Sequence, residues 1–347
     1  MRILIATDAW LPQVNGVVTT LRNTQRELTR LGHVVAMVTH EGHRTLPCPS
    51  YPEIRLAVAP GRRAARLLDS FRPDAVHIAT EGPLGLAVRR HCLAAGMPFT
   101  TAYHTQFPEY VHARCRLPVA LTYRWLRWFH GPANAVMVPT PEIHGRLARH
   151  GFRNLAFWSR GVDTELFAPA GGRNRDRRRP VFLYAGRVAI EKNIEAFLRL
   201  DLPGTKWVVG DGPARRKLEA AYPDAAFLGM KHGTDLADCY RHADVMVFPS
   251  RTDTFGLVLI EAMACGTPVA AYPVTGPIDV VRNGVSGVLD EDLHAAAIAA
   301  LSVDRDVVRN CALRFSWAEA TRQFLASLAA QPPAAAIDPV ATPPTAG

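Results

Sequence analysis

Residues 244–272 read DVMVFPSRTDTFGLVLIEAMACGTPVAAY. The run DVMVF is short, apolar and ended by Pro249 and Ser250, so it reads as a buried strand. Residues 256–264 are good helix formers, with Gly266 placed to close the helix, and TPVAAY reads as the next strand. Strand, loop, helix and strand imply a parallel sheet, with the loop at the carboxyl end of a strand, where open α/β sheets hold ligands. The free N–H groups of residues 255–257 favour an anion there. Glu261 falls about one turn into the helix, on the face of Leu257 and Val258. Helical side chains lean toward the N-terminus, so its carboxylate can reach the same crevice. On this stretch alone, Asp253 also fits a helix N-cap and Glu261 a salt-bridged core glutamate.

The same alternation extends in both directions. RILIAT, VVAMVT, IRLAV, DAVHIA, PFTTAYH and AVMVPT read as strands of a first half, separated by helical stretches such as TTLRNTQRELTRLG. VFLYAG, KWVVGDG, AAFLGM, VMVFPS and PVAAY repeat the pattern after a charged, Gly-rich linker at 170–180. The expected fold is α/β, with two Rossmann-like doubly wound domains facing across a cleft: 1–165 and 166–315. A helix at 316–330 is expected to pack back on the first domain, and the Pro/Ala-rich tail at 331–347 is expected to be disordered.

The chain of 347 residues is 48% hydrophobic, enough for two sizeable cores. No apolar run reaches the roughly 18 residues of a membrane span. MRILIATDAW reads as a first strand and is too short and too soon charged for a signal peptide. The six cysteines show neither a CxxC pair nor zinc spacing, which suits a reducing compartment. Charge is unevenly spread. Residues 1–165 hold 20 arginines, no lysine and 11 acids, whereas 166–347 hold 20 basic and 20 acidic residues. A basic half points to an anionic partner: nucleic acid, a membrane surface or an acidic ligand. No zinc finger, RRM signature or basic stretch interleaved with aromatics supports nucleic acid.

Several loops carry candidate chemistry. Gly16 opens the first helix, where a glycine lets backbone approach a ligand. Arg187 and Lys192, beyond the first strand of the second half, could clamp a diphosphate with a fork and a point charge. His104 stands at a strand end in the first half. Gly212 lies in a tight turn after a strand, and the backbone at Met230 and Lys231 could line a base pocket. The acidic triplets DED (290–292) and DRD (304–306) formally match a metal site, but they fall late, near surface helices, and read as solvated charge.

Together PQVNGVV, YHTQFPEY, GVDTELF, VTGPIDVV and the Asp253–Glu261 spacing resemble glycosyltransferase family 4, retaining enzymes of the GT-B fold, over residues 3–328. The nearest likeness is to the subgroup of sulfoquinovosyl-diacylglycerol synthases and GDP-mannose-dependent α-mannosyltransferases. The spacing matches the family's E-x7-E motif, with aspartate in the first position. The resemblance implies an acceptor domain at 1–165 and a nucleotide-sugar domain at 166–315. It implies that Arg187 and Lys192 hold the donor diphosphate, with Gly16 nearby, and that Glu261 binds the ribose. It also implies that Asp253 and the N–H groups of Thr254, Phe255, Gly256 and Leu257 hold the sugar and phosphate, with His104 beside the reacting carbon.

The expected reaction transfers a sugar from a UDP- or GDP-sugar to an acceptor hydroxyl, with no metal and no cofactor beyond that donor. A membrane lipid such as diacylglycerol is the expected acceptor, because APGRRAARLLDSF (Arg62, Arg63, Arg66) and PVALTYRWLRWFHG (Trp125, Trp128) combine basic and interfacial side chains. That places the protein in the cytoplasm, peripheral at the inner membrane face. A GDP-mannose-dependent transferase with a soluble or polysaccharide acceptor is the alternative. A nucleotide-sugar 2-epimerase of the same fold is a further one, which the Asp253–Glu261 motif disfavours.

Overall fold

The computed structural model describes residues 1–48, 51–109, 116–169 and 180–328, without the side chains of 51–53. Nearly all of the expected linker and the whole Pro/Ala-rich tail lie outside the described residues. The first half runs β1 (Arg2–Ala6), α1 (Gly16–Arg30), β2 (Val34–Val38), β3 (Thr45–Cys48), β4 (Tyr51–Ala57), α2 (Gly61–Phe71), β5 (Ala75–Ile78) and α3 (Pro83–Ala94). It continues with β6 (Thr100–Ala102), α4 (Val119–His130), β7 (Ala135–Val138), α5 (Pro141–Arg149) and β8 (Leu155–Phe157). Its parallel sheet has the order β2-β1-β5-β6-β7-β8. The IRLAV run belongs elsewhere: β4 pairs antiparallel with β3 in a separate two-stranded sheet. A short alternating segment carries no signal for which sheet it joins.

The second half runs β9 (Val181–Ala185), α6 (Ile194–Leu198), β10 (Thr205–Val209), α7 (Arg215–Ala221), β11 (Ala226–Gly229), α8 (Gly233–His242) and β12 (Val245–Phe248). It ends with α9 (Leu257–Ala264), β13 (Val269–Ala271), α10 (Pro277–Val280), β14 (Gly287–Leu289), α11 (Leu293–Ala300) and α12 (Arg305–Ala312). The strand order β11-β10-β9-β12-β13-β14 is the doubly wound arrangement, with its switch point between β9 and β12. β9 and β12 are buried at every position, because helices cover both faces. The opening stretch folds as its residues dictate. Gly256 enters α9 with φ 84° and Gly266 leaves it with φ 72°, conformations that disfavour any side chain.

The chain crosses between halves twice, at adjacent places. Val162 donates to the carbonyl of Phe315 at 3.0 Å. The returning helix α13 (Trp317–Ser327) is capped by Ser316, whose hydroxyl accepts from the Glu319 N–H. It lays Trp317, Ala320 and Phe324 into the core of Ile3, Ile5, Leu21, Leu28 and Trp158. Gly161 allows this: a Cβ there would meet the backbone nitrogen of Trp317 at 2.3 Å. Gly161→Ala should therefore lower stability by about 1–3 kcal/mol, as an overpacked site does. Gly61→Ala, with open space at its Cβ, should not destabilise. Urea denaturation of the two variants checks this, and equal midpoints would refute a tight crossing.

Candidate active site

The crevice is built at the carboxyl ends of β9 and β12. After β9, residues 186–193 form a loop with a 3₁₀ turn, Ile190–Lys192. Asn193, at φ 52°, leaves that turn and donates to the carbonyl of Pro249 at 3.1 Å. Lys192 Nζ then reaches Asp253 Oδ1 at 2.5 Å. The second oxygen of Asp253 is buried and has no partner among the described residues. Arg187 lies on the same loop, with its carbonyl held by the Tyr184 hydroxyl at 2.8 Å. The loop after β10 backs this one: a Cβ on Gly212 would meet the Val188 carbonyl oxygen at 2.4 Å. Gly212 is thus required by close backbone approach within the protein itself.

Glu261 is partly accessible in α9, and its Oε2 accepts from the Tyr240 hydroxyl at 2.9 Å. Burial pushes its carboxyl up to about 7, partly offset by that hydrogen bond. No basic side chain pairs with Glu261 among the described residues, so the salt-bridged reading is set aside. Nor is Asp253 a helix cap: no side chain caps α9, whose N-cap residue is Gly256. Met230 and Lys231 follow β11, at the edge of the sheet, with Met230 exposed.

The first half closes over these loops. Gly16 begins α1, where the Asn15 side chain accepts from Val17 and Val18 N–H, and its Cβ position lies 3.7 Å from Leu257 of the other half. The carbonyl of His104 accepts from Thr254 Oγ1 at 2.8 Å, and the carbonyl of Asp253 accepts from Gln106 Nε2 at 2.9 Å. His104 Nδ1 lies 3.2 Å from Arg160 Nη2, while its Nε2 is buried without a partner among the described residues. The structure therefore brings together Gly16, His104, Asp253, Thr254 and Leu257 across the crevice, with Lys192 on Asp253 and Arg187 on the Lys192 loop.

Four residues escaped the sequence reading. Asp8, at the end of β1, accepts from Leu84 N–H and Thr80 Oγ1, each at 2.9 Å, and burial raises its carboxyl above the ordinary range. It fixes the start of α3, and Gly82 leaves room for it. An acid directly after the strand RILIAT was the available signal. Gln106, Arg146 and Arg160 gave none, since their roles depend on partners far away in sequence.

The acidic triplets have structural work. Asp292 caps α11, Asp304 caps α12 and Glu291 pairs with Arg251 at 2.9 Å. On the outer surface, α2, α3 and α4 share one core layer. Arg62, Arg66, Arg90, Leu93, Leu121, Arg124 and Trp128 of these helices are exposed. Two expected members differ. Trp125 is half-buried, with its ring 6.0 Å from Phe107 and 5.9 Å from Phe129. Arg63 is exposed but donates to the Gly42 carbonyl at 2.6 Å. Residues 121, 124 and 128 fall on one face of α4, with 125 turned toward its neighbours.

Known proteins agree with this architecture. Residues 14–166 match the family model Glycosyltransferase Family 4, and residues 179–304 match Glycosyl transferases group 1. The chain is 32% identical to a GDP-mannose-dependent alpha-mannosyltransferase of Mycolicibacterium smegmatis, over 86% of this chain and 87% of that one. It is 26% identical to an alpha-monoglucosyldiacylglycerol synthase of Streptococcus pneumoniae, over 88% and 80%. Among solved structures, the sucrose-phosphate synthase of Thermosynechococcus elongatus superposes with a TM-score of 0.76 at 20% identity, covering 94% of this chain and 97% of the other. That likeness shows the fold, GT-B. With its crevice, its two sheets and these relatives, the chain belongs to glycosyltransferase family 4 and is a glycosyltransferase.

Proposed function

We propose that this chain moves a hexosyl group, with retention at the anomeric carbon, from a nucleoside diphosphate sugar to a hydroxyl of a membrane lipid such as diacylglycerol. One observation carries the donor reading. Asp253 Oδ2 and His104 Nε2 are buried polar atoms without partners among the described residues, on two loops joined by two hydrogen bonds. Buried groups left unpaired cost about 1–3 kcal/mol each, so such a pair marks a place for ligand hydroxyls. Lys192, Arg187 and the N–H groups at the start of α9 meet the departing diphosphate, whose developing charge is the barrier. Glu261 Oε1 accepts from the ribose. These cations do the work of a divalent ion, so no metal is needed.

The acceptor reading rests on the exposed face of α2, α3 and α4, where arginines flank Leu93, Leu121 and Trp128. Among the described residues, no helix is long and apolar enough to cross a membrane. On this reading the protein attaches peripherally, at an anionic leaflet on the cytoplasmic side. The Streptococcus pneumoniae relative is named for a diacylglycerol product. The Mycolicibacterium smegmatis relative is named for GDP-mannose, which supports GDP-mannose as the donor; a GDP-mannose-dependent transferase with a soluble or polysaccharide acceptor is the second reading. Turnover of UDP- and GDP-sugars with a lipid extract, and then with the extract omitted, separates the two.

Three outcomes are expected. Lys192→Ala removes a contact worth about 2–4 kcal/mol in the transition state, so kcat falls about 30- to 1000-fold with the fold intact. EDTA leaves the wild-type rate unchanged. A variant within threefold of wild type, or loss in EDTA with rescue by Mg²⁺, overturns the clamp. Second, Glu261 has its carboxyl raised to about 7, so it gains a proton as pH falls through 7 and becomes a poorer acceptor. Donor KM should rise below pH 7 in the wild type. In Glu261→Gln it should be raised at every pH, by about 1–3 kcal/mol of lost charged hydrogen bond. A melting temperature that collapses while KM stays fixed would make Glu261 structural. Third, the protein should sediment with anionic vesicles, less so as salt rises. Arg62→Glu/Arg66→Glu/Arg124→Glu should weaken this by about 1 kcal/mol or more per site. Wild-type protein left in the supernatant at low salt would favour the soluble acceptor.

A further inference from the structure

Arg160 is the residue that the reaction as described leaves unused. It is 4% exposed and has no carboxylate within ion-pairing distance among the described residues. An arginine that deep is costly to keep charged, and burial lowers it to about 9, still a cation at neutral pH. It donates to the carbonyls of Trp158 at 2.6 Å and Ser159 at 3.1 Å and lies 4.7 Å over the Trp158 ring. These contacts aim its second amino group at His104 Nδ1, 3.2 Å away. A guanidinium can only donate, so Nδ1 must accept, and the single proton of a neutral imidazole then resides on Nε2. Nε2 is the buried atom with no partner among the described residues.

Resting on the reading that His104 lies against the donor sugar, we propose that Arg160 is a positioning residue that holds His104 as the neutral ring with its proton on Nε2. In that form the ring offers one donor to a sugar hydroxyl. As an imidazolium it would place a second positive charge beside a carbon that itself becomes positive, and so oppose departure of the diphosphate. The surroundings of the ring act in the same sense. His104 is pushed well below its ordinary value by burial first, then by Arg160, then by His77 of β5. The Trp158 ring meets its edge at 5.4 Å, and from the second half the Thr254 hydroxyl bonds this residue, on the carbonyl.

The test is the titration of His104 by NMR of ring-¹⁵N-histidine protein, assigned with His104→Gln, together with kcat at saturating donor between pH 6 and 8. In the wild type the ring should stay neutral with its proton on Nε2, and kcat should be flat. In Arg160→Met the ring stays buried, but with its donor gone the ¹⁵N shifts should move from the single Nε2–H form toward a mixture of the two tautomers, and the titration should move up toward the window. kcat should then fall toward pH 6 by the fraction of the ring that the NMR shows charged. Arg160→Lys, which keeps a buried cationic donor, should restore the flat profile. A His104 ring that titrates alike in wild type and Arg160→Met overturns the inference. So does a kcat reduced by one factor at every pH alongside a lower melting temperature, since Arg160 would then be structural. His104→Ala within threefold of wild-type kcat would instead overturn the role of His104, and the inference with it, even where the ring responds as expected.

Discussion

The contact of Lys192 with Asp253 fixes the crevice. At 2.5 Å it ties the loop after β9 to the loop after β12, and Asn193 on Pro249 and Thr252 on Glu191 repeat the tie in neutral hydrogen bonds. Both ends of the pair are largely shielded from water, where removing one partner costs far more than a surface ion pair contributes. The pair engages one carboxylate oxygen of Asp253 and leaves the other buried without a partner among the described residues.

The halves meet through two kinds of surface. Near the crevice the contacts are polar: Gln106 on the Asp253 carbonyl, Thr254 on the His104 carbonyl, Arg146 on both Gln106 and Thr275, and Asp279 accepting from the N–H of Glu142. At the crossing the contacts are apolar and close, with Gly161 against Trp317 and α13 seated in the first half's core. Polar interfaces within a chain open at low cost, whereas a glycine-tight apolar one does not.

What could be read in the sequence follows the range of the forces. The strands VFLYA and VMVF and the helix LVLIEAMA are set by local apolar runs and by glycines at 256 and 266, so their type and order were legible. Lys192 and Asp253 were legible as loop residues at strand ends, but their pairing was not, because it spans 61 positions. IRLAV looked like another parallel strand, since alternation says nothing about the partner. Trp125 and Trp128 are three apart in a helix rich in both aromatics and arginines. Only packing against Phe107 and Phe129 separates the half-buried ring from the exposed one. Arg160 reads as one more arginine in a basic half, and only its burial beside the His104 ring distinguishes it.

That basic half thus holds two populations of positive charge with different physics. Arg62, Arg66, Arg90 and Arg124 stand in solvent, where interactions beyond about 8 Å are screened at physiological salt. Arg160 in the first half is buried, and Lys192 in the second is mostly shielded and paired with Asp253, so salt screens them less. Net charge alone cannot separate them, since each adds one unit to the same sum. Salt can: it should weaken attachment to an anionic surface while leaving the chemistry in the crevice nearly untouched. The excess of arginine in residues 1–165 is therefore best read as a surface property, while buried arginines such as Arg89 and Arg160 are held by main-chain carbonyls inside the fold.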